Sequence, residues 1–208
     1  MVAPDADGRP VVTVVGERIA LGPLRREDVP HYHRWHNDFA IRRTLGELRP
    51  RTLERELAAY ERDARAEGDA HFAIYDRANW RPIGTTHLFG LDFRNGRAEF
   101  GILIGEGTYR GRGYGTETTR LMLDYAFTAL GLHNVFLTVN AYNHAGIRAY
   151  EKAGFREFGR RRQCKAMGGR RWDVVYMDCL ATEFTSLVLA AIFTPEDRAP
   201  GDPSAQID

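Results

Sequence analysis

Hydrophobic residues recur along this chain with two different periods, and each period predicts one kind of element. A two-residue period is typical of half-buried strands, and a period of three to four residues is typical of helices that bury one face. The pattern predicts a hairpin or bent strand at 11–15 and 18–24, helices at 27–36 and 52–67, strands at 70–76, 82–93 and 97–104, a helix at 113–131, a strand at 134–140, a helix at 144–153, and final strands at 155–162 and 171–180.

This order of elements predicts an α+β or α/β domain built on a mixed sheet. The strand at 97–104, the helix after it and the strand at 134–140 are expected to form a parallel crossover unit. Shifts in composition predict a flexible leader at 1–10, one domain at 11–184 and a C-terminal extension at 185–208 that is disordered after about 195.

The final strand is apolar on both faces, with Trp172, Val174 and Tyr176 on one and Val175, Met177 and Cys179 on the other. We expect it to be an edge strand, and an exposed apolar edge has to be covered. The apolar stretch at 184–193 or a second subunit would cover it.

Composition narrows the class of protein. The 208 residues are 43% hydrophobic and 27% charged, with a net charge of +1, which gives no global attraction to nucleic acid or to a membrane. Two cysteines, Cys164 and Cys179, are too few for a disulfide framework and fit a reducing compartment. The polar N-terminus is no signal peptide, and the apolar run at 187–193 is too short to span a bilayer. We therefore expect a cytoplasmic protein.

A glycine-rich turn follows the strand that ends at residue 104. Gly111, Gly113 and Gly115 alternate directly before a helix, with Arg110 before the first glycine and Arg112 after it. Such a turn exposes backbone N–H groups at a helix N-terminus, an arrangement suited to phosphate oxygens. A P-loop would require a Lys after the glycines, and a dinucleotide fingerprint would require Gly in place of Thr116.

The next helix carries Asn143 and Tyr150, seven residues or about two turns apart, so that both are predicted on one face. Taken alone, the pair is more typical of a helix-capping Asn and a hydrogen-bonded core Tyr than of two residues that face a ligand.

Together these segments resemble the GNAT superfamily of N-acetyltransferases. The resemblance rests on Arg110-x-x-Gly113-x-Gly115 followed by Asn143 and Ala149-Tyr150-Glu151-Lys152-Ala153-Gly154-Phe155, and it covers about residues 17 to 182. The stretch from Ala98 to Gly105, with Gly113-Tyr114-Gly115-Thr116-Glu117, is similar to the RimJ/RimL branch. The resemblance implies a central mixed, mostly antiparallel sheet of about seven strands flanked by helices.

The resemblance also implies an enzyme that moves an acetyl group from acetyl-CoA directly to a primary amine, without a metal. The turn formed by Arg110, Gly111, Arg112, Gly113, Tyr114, Gly115 and Thr116 would hold the pyrophosphate, and the backbone of Ile102, Leu103 and Ile104 would pair with the pantetheine arm. Asn143 would contact the cofactor, and Tyr150 would protonate the departing thiolate. Similar acetyltransferases are often dimers, so we expect a homodimer.

The general base and the acceptor site are less defined. Glu99 is the first candidate base, and it has an alternative role as an ordinary strand-surface residue; His87 is the second. Trp35 and Asn37 are candidate substrate contacts or packing residues. The spacing of His31, His33 and His36 does not place all three on one helix face, which argues against a metal site.

Two observations leave alternatives open. The run Arg160-Arg161-Arg162 is either a solvated strand end or a site for an anion or partner. The acceptor is a protein N-terminus, a polyamine or another small amine, and an antibiotic-modifying enzyme or a non-catalytic acyl-CoA-binding module is the alternative function.

Overall fold

The computed structural model describes residues 9–46 and 48–194, which form eight strands and six α-helices. The strands are β1 (Val14–Val15), β2 (Ile19–Pro23), β3 (Ala70–Asp76), β4 (Pro82–Asp92), β5 (Arg97–Ile104), β6 (Asn134–Asn140), β7 (Arg156–Met167) and β8 (Arg170–Leu180). The helices are α1 (Val29–Asn37), α2 (Phe39–Leu45), α3 (Leu53–Asp63), α4 (Tyr114–Asp124), α5 (His144–Ala153) and α6 (Leu189–Phe193). Residues 1–8 of the predicted leader and the tail from 195 lie outside the described residues.

The strands form one sheet in the order β1-β2-β3-β4-β5-β6-β8-β7, so the predicted mixed sheet is confirmed with eight strands instead of about seven. The pair β5–β6 is parallel, as the crossover pattern predicts, and the other pairs among the described strands are antiparallel. The crossover helix α4 buries Leu121, Met122 and Leu123 in the main hydrophobic core.

The predicted position of the last strand at the edge of the sheet is wrong. β8 lies between β6 and β7, and β7 is the edge strand. As an interior strand β8 is paired along both edges; of its two apolar faces, Val175, Met177 and Cys179 lie in the main core, and Val174 and Tyr176 line a cavity. The sequence pattern describes burial correctly, but it does not say which strands pair.

Helix boundaries differ from the prediction where side-chain caps and turn geometry decide them. α3 begins after Thr52, whose hydroxyl accepts from the Arg55 N–H at 3.2 Å, and it ends at Asp63. α4 continues after Asp124 into a π-helical turn at Tyr125–Ala129. α2 was not predicted; Asp38 caps its N-terminus and Gly46 ends it with a φ of +81°.

The segment after β8 stays attached to the domain. The carboxylate of Asp124, at the end of α4, accepts hydrogen bonds from the Ser186 hydroxyl at 2.6 Å and from the Val188 N–H at 2.8 Å. Phe184 packs against Phe127, with ring centroids 5.5 Å apart. The apolar stretch that follows β8 therefore packs against the end of α4.

No helix within the described ranges is both long and apolar enough to cross a bilayer.

Candidate active site

The sheet opens at its centre. β5 and β6 pair at only three positions, Arg97 with Asn134, Ala98 with Val135 and Glu99 with Phe136, and then diverge. The rest of β5 continues to pair with β4 on its other side. The divergence leaves one edge of residues 100–104 unpaired with β6, so backbone groups there can bind an extended ligand.

α2 and α5 stand at the open end of this gap. Two hydrogen bonds tie α2 to the segment after β6: Asn140 Nδ2 donates to the Thr44 carbonyl at 2.9 Å, and the Tyr142 hydroxyl donates to the Arg43 carbonyl at 2.7 Å. α5 begins at Asn143, whose Oδ1 accepts from the Gly146 N–H at 3.1 Å. Gly154, with a φ of +117°, ends it. Both ends of the helix that carries Tyr150 are therefore fixed.

A first cavity, of about 350 Å³, lies on the side of the glycine-rich turn, and we call it the donor cavity. It is lined by ten of the twelve residues predicted to bind the cofactor, which are Ile102, Leu103, Ile104, Arg110, Gly111, Gly113, Gly115, Thr116, Asn143 and Tyr150. Arg112 and Tyr114 do not line it.

The glycine-rich turn has the shape of an anion-binding loop. Gly111 and Gly113 have φ values of +70° and +89°, in the left-handed region that favours glycine. Gly113 is the N-cap of α4, so the N–H groups of the first turn of that helix have no partner within the helix. These amides and the helix dipole favour negative charge at this point.

The arginines of the turn support its shape. The Arg110 guanidinium donates to the carbonyls of Ile104 and Gly105, at 3.0 and 2.9 Å, and the Arg110 N–H donates to the Gly107 carbonyl at 3.2 Å. The Arg112 carbonyl accepts from Arg18, whose guanidinium lies 4.7 Å from the centre of the Tyr114 ring. Arg110 therefore supports the shape of the turn, and the contact of Arg110 and Arg112 with phosphate stays a prediction.

A second cavity, of about 590 Å³, lies on the other side of Tyr150, and we call it the acceptor cavity. The two cavities share six lining residues, which are Thr44, Leu45, Ile102, Leu103, Asn143 and Tyr150. Tyr150 is held there by edge-on packing against Phe100, with ring centroids 6.2 Å apart. Burial raises the pKa of Tyr150 to about 12, so its hydroxyl keeps its proton at neutral pH.

The two candidate bases both line the acceptor cavity. Glu99 lies on β5 at the last position that pairs with β6, directly below the gap. His87 lies over Gly101, where a Cβ would come within 1.9 Å of its Nε2. Burial and the neighbouring His71 lower the pKa of His87 to about 3. At neutral pH the His87 imidazole is therefore uncharged, and both residues remain candidate bases.

Trp35 and Asn37 line neither cavity. Trp35 is buried against Gly105 and donates from Nε1 to Glu106 at 2.9 Å. Asn37 joins α1 to the following loop, accepting from the Arg51 N–H at 3.0 Å. Both side chains therefore hold elements in place, which is the packing alternative considered from the sequence.

Several lining residues were not predicted from the sequence. Arg148 and Lys152, four residues apart on α5, border the donor cavity, and His36, Arg161 and Lys165 border the acceptor cavity. The helical spacing of Arg148 and Lys152 is a signal that could have been used. Arg161 and Lys165 reach the site through the position of β7, which the sequence does not reveal. No cluster of three potential metal ligands occurs in the described part of the chain.

Two cavities that meet at one protonated tyrosine are the arrangement of a transferase that brings two substrates together.

Comparison with known proteins identifies the class. A family model described as an acetyltransferase (GNAT) domain matches residues 18–156. The chain is 30% identical to the spermidine N(1)-acetyltransferase of Escherichia coli K12 over 137 residues, which are 66% of this chain and 72% of that protein.

Two further proteins are similar. The human alpha/beta-tubulin-N-acetyltransferase 9 is 30% identical, over 69% of this chain and 75% of that protein. The structure of a spermidine N-acetyltransferase from Vibrio cholerae in complex with CoA and spermine superposes with a TM-score of 0.74 at 26% identity, covering 81% of this chain and 98% of that one.

The chain belongs to the GNAT family of acetyltransferases. It is an N-acetyltransferase that uses acetyl-CoA as the acetyl donor and a primary amine as the acceptor.

Proposed function

We propose that the enzyme transfers acetyl directly from acetyl-CoA in the donor cavity to an amine in the acceptor cavity, with Tyr150 as the acid and Glu99 as the base. One observation carries this proposal: Tyr150 lines both cavities at the point where they meet. A hydroxyl in this position is within reach of a thioester held in the donor cavity and of an amine that attacks it from the acceptor cavity.

The proton balance assigns opposite tasks to the two residues. An alkylammonium has a pKa of about 10.4 and must lose a proton before it attacks. Glu99, directly or through water, takes that proton and releases it to solvent; it then takes the second nitrogen proton as the N–C bond forms and the C–S bond breaks, and releases that one likewise. The raised pKa of Tyr150 keeps its hydroxyl available as a donor to the thiolate sulfur. Solvent then returns a proton to Tyr150, and no acyl-enzyme forms.

The donor cavity supports acetyl-CoA binding through the main chain. The amides at the start of α4 face the position proposed for the pyrophosphate, and the unpaired edge of β5 offers hydrogen bonds to an extended pantetheine arm. Arg148 and Lys152 add positive charge at the rim of the same cavity. These cations are suited to the remaining phosphate of CoA.

We further propose that the enzyme is RimJ/RimL-like, cytoplasmic and homodimeric. The stretch from Ala98 to Gly105 supports the branch. Two unpaired cysteines support a reducing compartment. Because β8 is not an edge strand, it does not support a dimer. The support comes from apolar side chains near the end of the described chain, Leu187, Ile192 and Phe193, which are 57%, 68% and 55% exposed.

The acceptor classes named by the relatives, polyamine and protein amine, define the first assay. CoA thiol release is measured with spermidine, a peptide with a free α-amine, small amines and an aminoglycoside. Release with the aminoglycoside alone would indicate the antibiotic-modifying alternative. Tight acetyl-CoA binding without release for any amine would indicate a non-catalytic acyl-CoA-binding module.

The role of Tyr150 is tested by Tyr150→Phe, which keeps the ring and its packing against Phe100. We expect the turnover number to fall by about 10²–10⁴-fold with acetyl-CoA affinity nearly unchanged, because only the proton donor is removed. Tyr125→Phe, in the π-helical turn, is the control, since Tyr125 lines neither cavity. An equal turnover number for Tyr150→Phe with a good acceptor would remove Tyr150 from the mechanism.

A further inference from the structure

The arginine run at 160–162 divides into residues with different surroundings. Arg160 forms two hydrogen bonds to the carboxylate of Glu157, at 2.6 and 2.7 Å, on the outer surface. Successive side chains of a strand point to opposite faces. Arg161 accordingly lines the acceptor cavity, whereas Arg160 and Arg162 do not.

A bulge in β7 adds a second cation to the same wall. Arg161 pairs with Val174 and Lys165 with Trp172, so that two extra residues of β7 are accommodated between these positions. Gln163, with a φ of +49°, is at the turn of the bulge, and its N–H donates to Asp173 Oδ1 at 2.8 Å. Bulges of this kind re-aim side chains at functional sites. Lys165 is the second cationic side chain that β7 contributes to the cavity.

The charges of the acceptor cavity do not suit a polycation. Glu99 is its one lining carboxylate among the described residues, while Arg161 and Lys165 are both cationic, and neither is salt-bridged to a carboxylate in the described part of the chain. The lining also has two histidines: His36 is already hydrogen-bonded to Glu56 at 2.9 Å, and the lowered pKa of His87 leaves its ring uncharged at neutral pH. Two cations beside a single carboxylate repel a second ammonium group and attract an anion.

These cations are also separate from those of the donor. The donor cavity is bordered by Arg110, Arg148 and Lys152, and none of these lines the acceptor cavity. The phosphates of acetyl-CoA therefore do not account for Arg161 and Lys165. An anionic group on the acceptor does account for them.

We propose that the acceptor is a small amine that also carries a carboxylate, as in an amino acid. Its amine lies between Glu99 and Tyr150, and its carboxylate binds Arg161 and Lys165. The planar guanidinium of Arg161 is suited to a carboxylate, with Lys165 as a second point charge. The inference rests on the proposed direct transfer, and it sets this enzyme apart from the spermidine acetyltransferases that it resembles, whose named substrate is a polycation.

The test compares matched acceptors that differ in one charge. The ω-amino acids from glycine to 6-aminohexanoate are assayed against their carboxamides and against spermidine, with kcat/KM from CoA thiol release. We expect at least one amino acid to exceed its carboxamide by about tenfold or more, since hydrogen bonds to charged groups are stronger than neutral ones. Glycine and 6-aminohexanoate bracket the span between amine and carboxylate, and a dipeptide with an N-terminal Glu tests whether the carboxylate is recognised on a peptide.

Variants identify the residues responsible. Arg161→Gln and Lys165→Gln should each reduce the ratio of carboxylate to carboxamide toward one, and the exposed neighbour Arg162→Gln should leave it as in the wild type. Acetyl-CoA affinity, measured by calorimetry, verifies that each variant retains its donor cavity. An equal loss for both acceptors in Arg161→Gln would overturn the inference.

The wild-type assay separates the two levels of the proposal. If CoA thiol is released with the carboxamides or with spermidine at rates equal to or above those with the amino acids, the proposal of a carboxylate-bearing acceptor is overturned. The proposal of direct transfer is not affected by that result. Unchanged turnover in Tyr150→Phe overturns the proposed mechanism whatever the acceptor preference.

Discussion

Gly113 and Gly115 stand two residues apart in the turn, but the structure requires them for different reasons. Gly113 has a φ of +89°, and a Cβ there would lie 3.0 Å from the Arg18 guanidinium. A side chain at 113 is therefore strained before any ligand binds. At Gly115 a Cβ would meet only Ile104, at an ordinary 3.9 Å, and it would border the donor cavity.

This difference gives a prediction for acetyl-CoA binding. Gly115→Ala should weaken acetyl-CoA binding by about tenfold or more, equivalent to about 1.4 kcal/mol, without lowering Tm, because alanine suits a helix. Gly113→Val should weaken binding severely and lower Tm as well. Calorimetry with thermal unfolding measures both effects. Unchanged affinity in a folded Gly113→Val protein would mean that the phosphate loop lies elsewhere.

At the scale of elements, Asp124 connects α4 to the segment that leads into α6. Burial alone would raise its pKa, but hydrogen bonds from Ser186, Val188 and Thr128 outweigh burial and lower the pKa below its usual value. The side chain is completely buried, so these hydrogen bonds replace the ones that the carboxylate would form with water. We infer that the ionised form stabilises the folded chain.

Asp124→Asn should therefore lower the free energy of unfolding at pH 7 by about 1.5–3 kcal/mol. Because the folded-state pKa is depressed, the stabilisation is complete above the unfolded pKa of about 3.9 and is lost as the pH falls through the folded value. The difference between wild type and variant, from urea titrations at pH 7 and in more acidic buffers, should narrow only at the acidic end. Glu67→Gln, at an exposed position, is the control, and a constant difference at every pH would contradict this role.

The comparison between elements shows what the sequence could predict. α5 was placed correctly because local signals define it, with Asn143 at its start and Gly154 at its end. The edge position assigned to β8 was wrong because its partners, β6 and β7, are set by long-range pairing. The glycine-rich turn could be predicted because it is a local motif. The wall of the acceptor cavity formed by Arg161 and Lys165 could not, because it depends on the long-range pairing of β7.

At the scale of the whole molecule, the exposed apolar side chains of 187–193 predict self-association. Light scattering at low micromolar concentration should give about twice the chain mass of 23.6 kDa. Ile192→Lys should shift the molecule to the monomer mass, because a buried unpaired charge opposes association. Val15→Lys, at an exposed position far from this segment in sequence, is the matched control. A wild-type mass near 23.6 kDa would rule out the dimer.

The divergence of β5 and β6 has a consequence for cohesion. Without a ligand, the sheet is two smaller sheets joined by a seam of three residue pairs. If the pantetheine arm lies along β5, it acts as an additional strand between β5 and β6. Binding of acetyl-CoA then also stabilises the sheet at this point. At about 100 times its Kd, acetyl-CoA would add about 2.7 kcal/mol to the free energy of unfolding.

Hydrogen exchange would locate that gain. Acetyl-CoA should slow amide exchange at residues 102–104 of β5 and 134–140 of β6, the two strands that diverge, as well as in the glycine-rich turn. Protection confined to residues 110–116 would mean that the donor is held by its phosphates alone. If the donor supplies this strand, the sheet is more rigid with acetyl-CoA bound than without it.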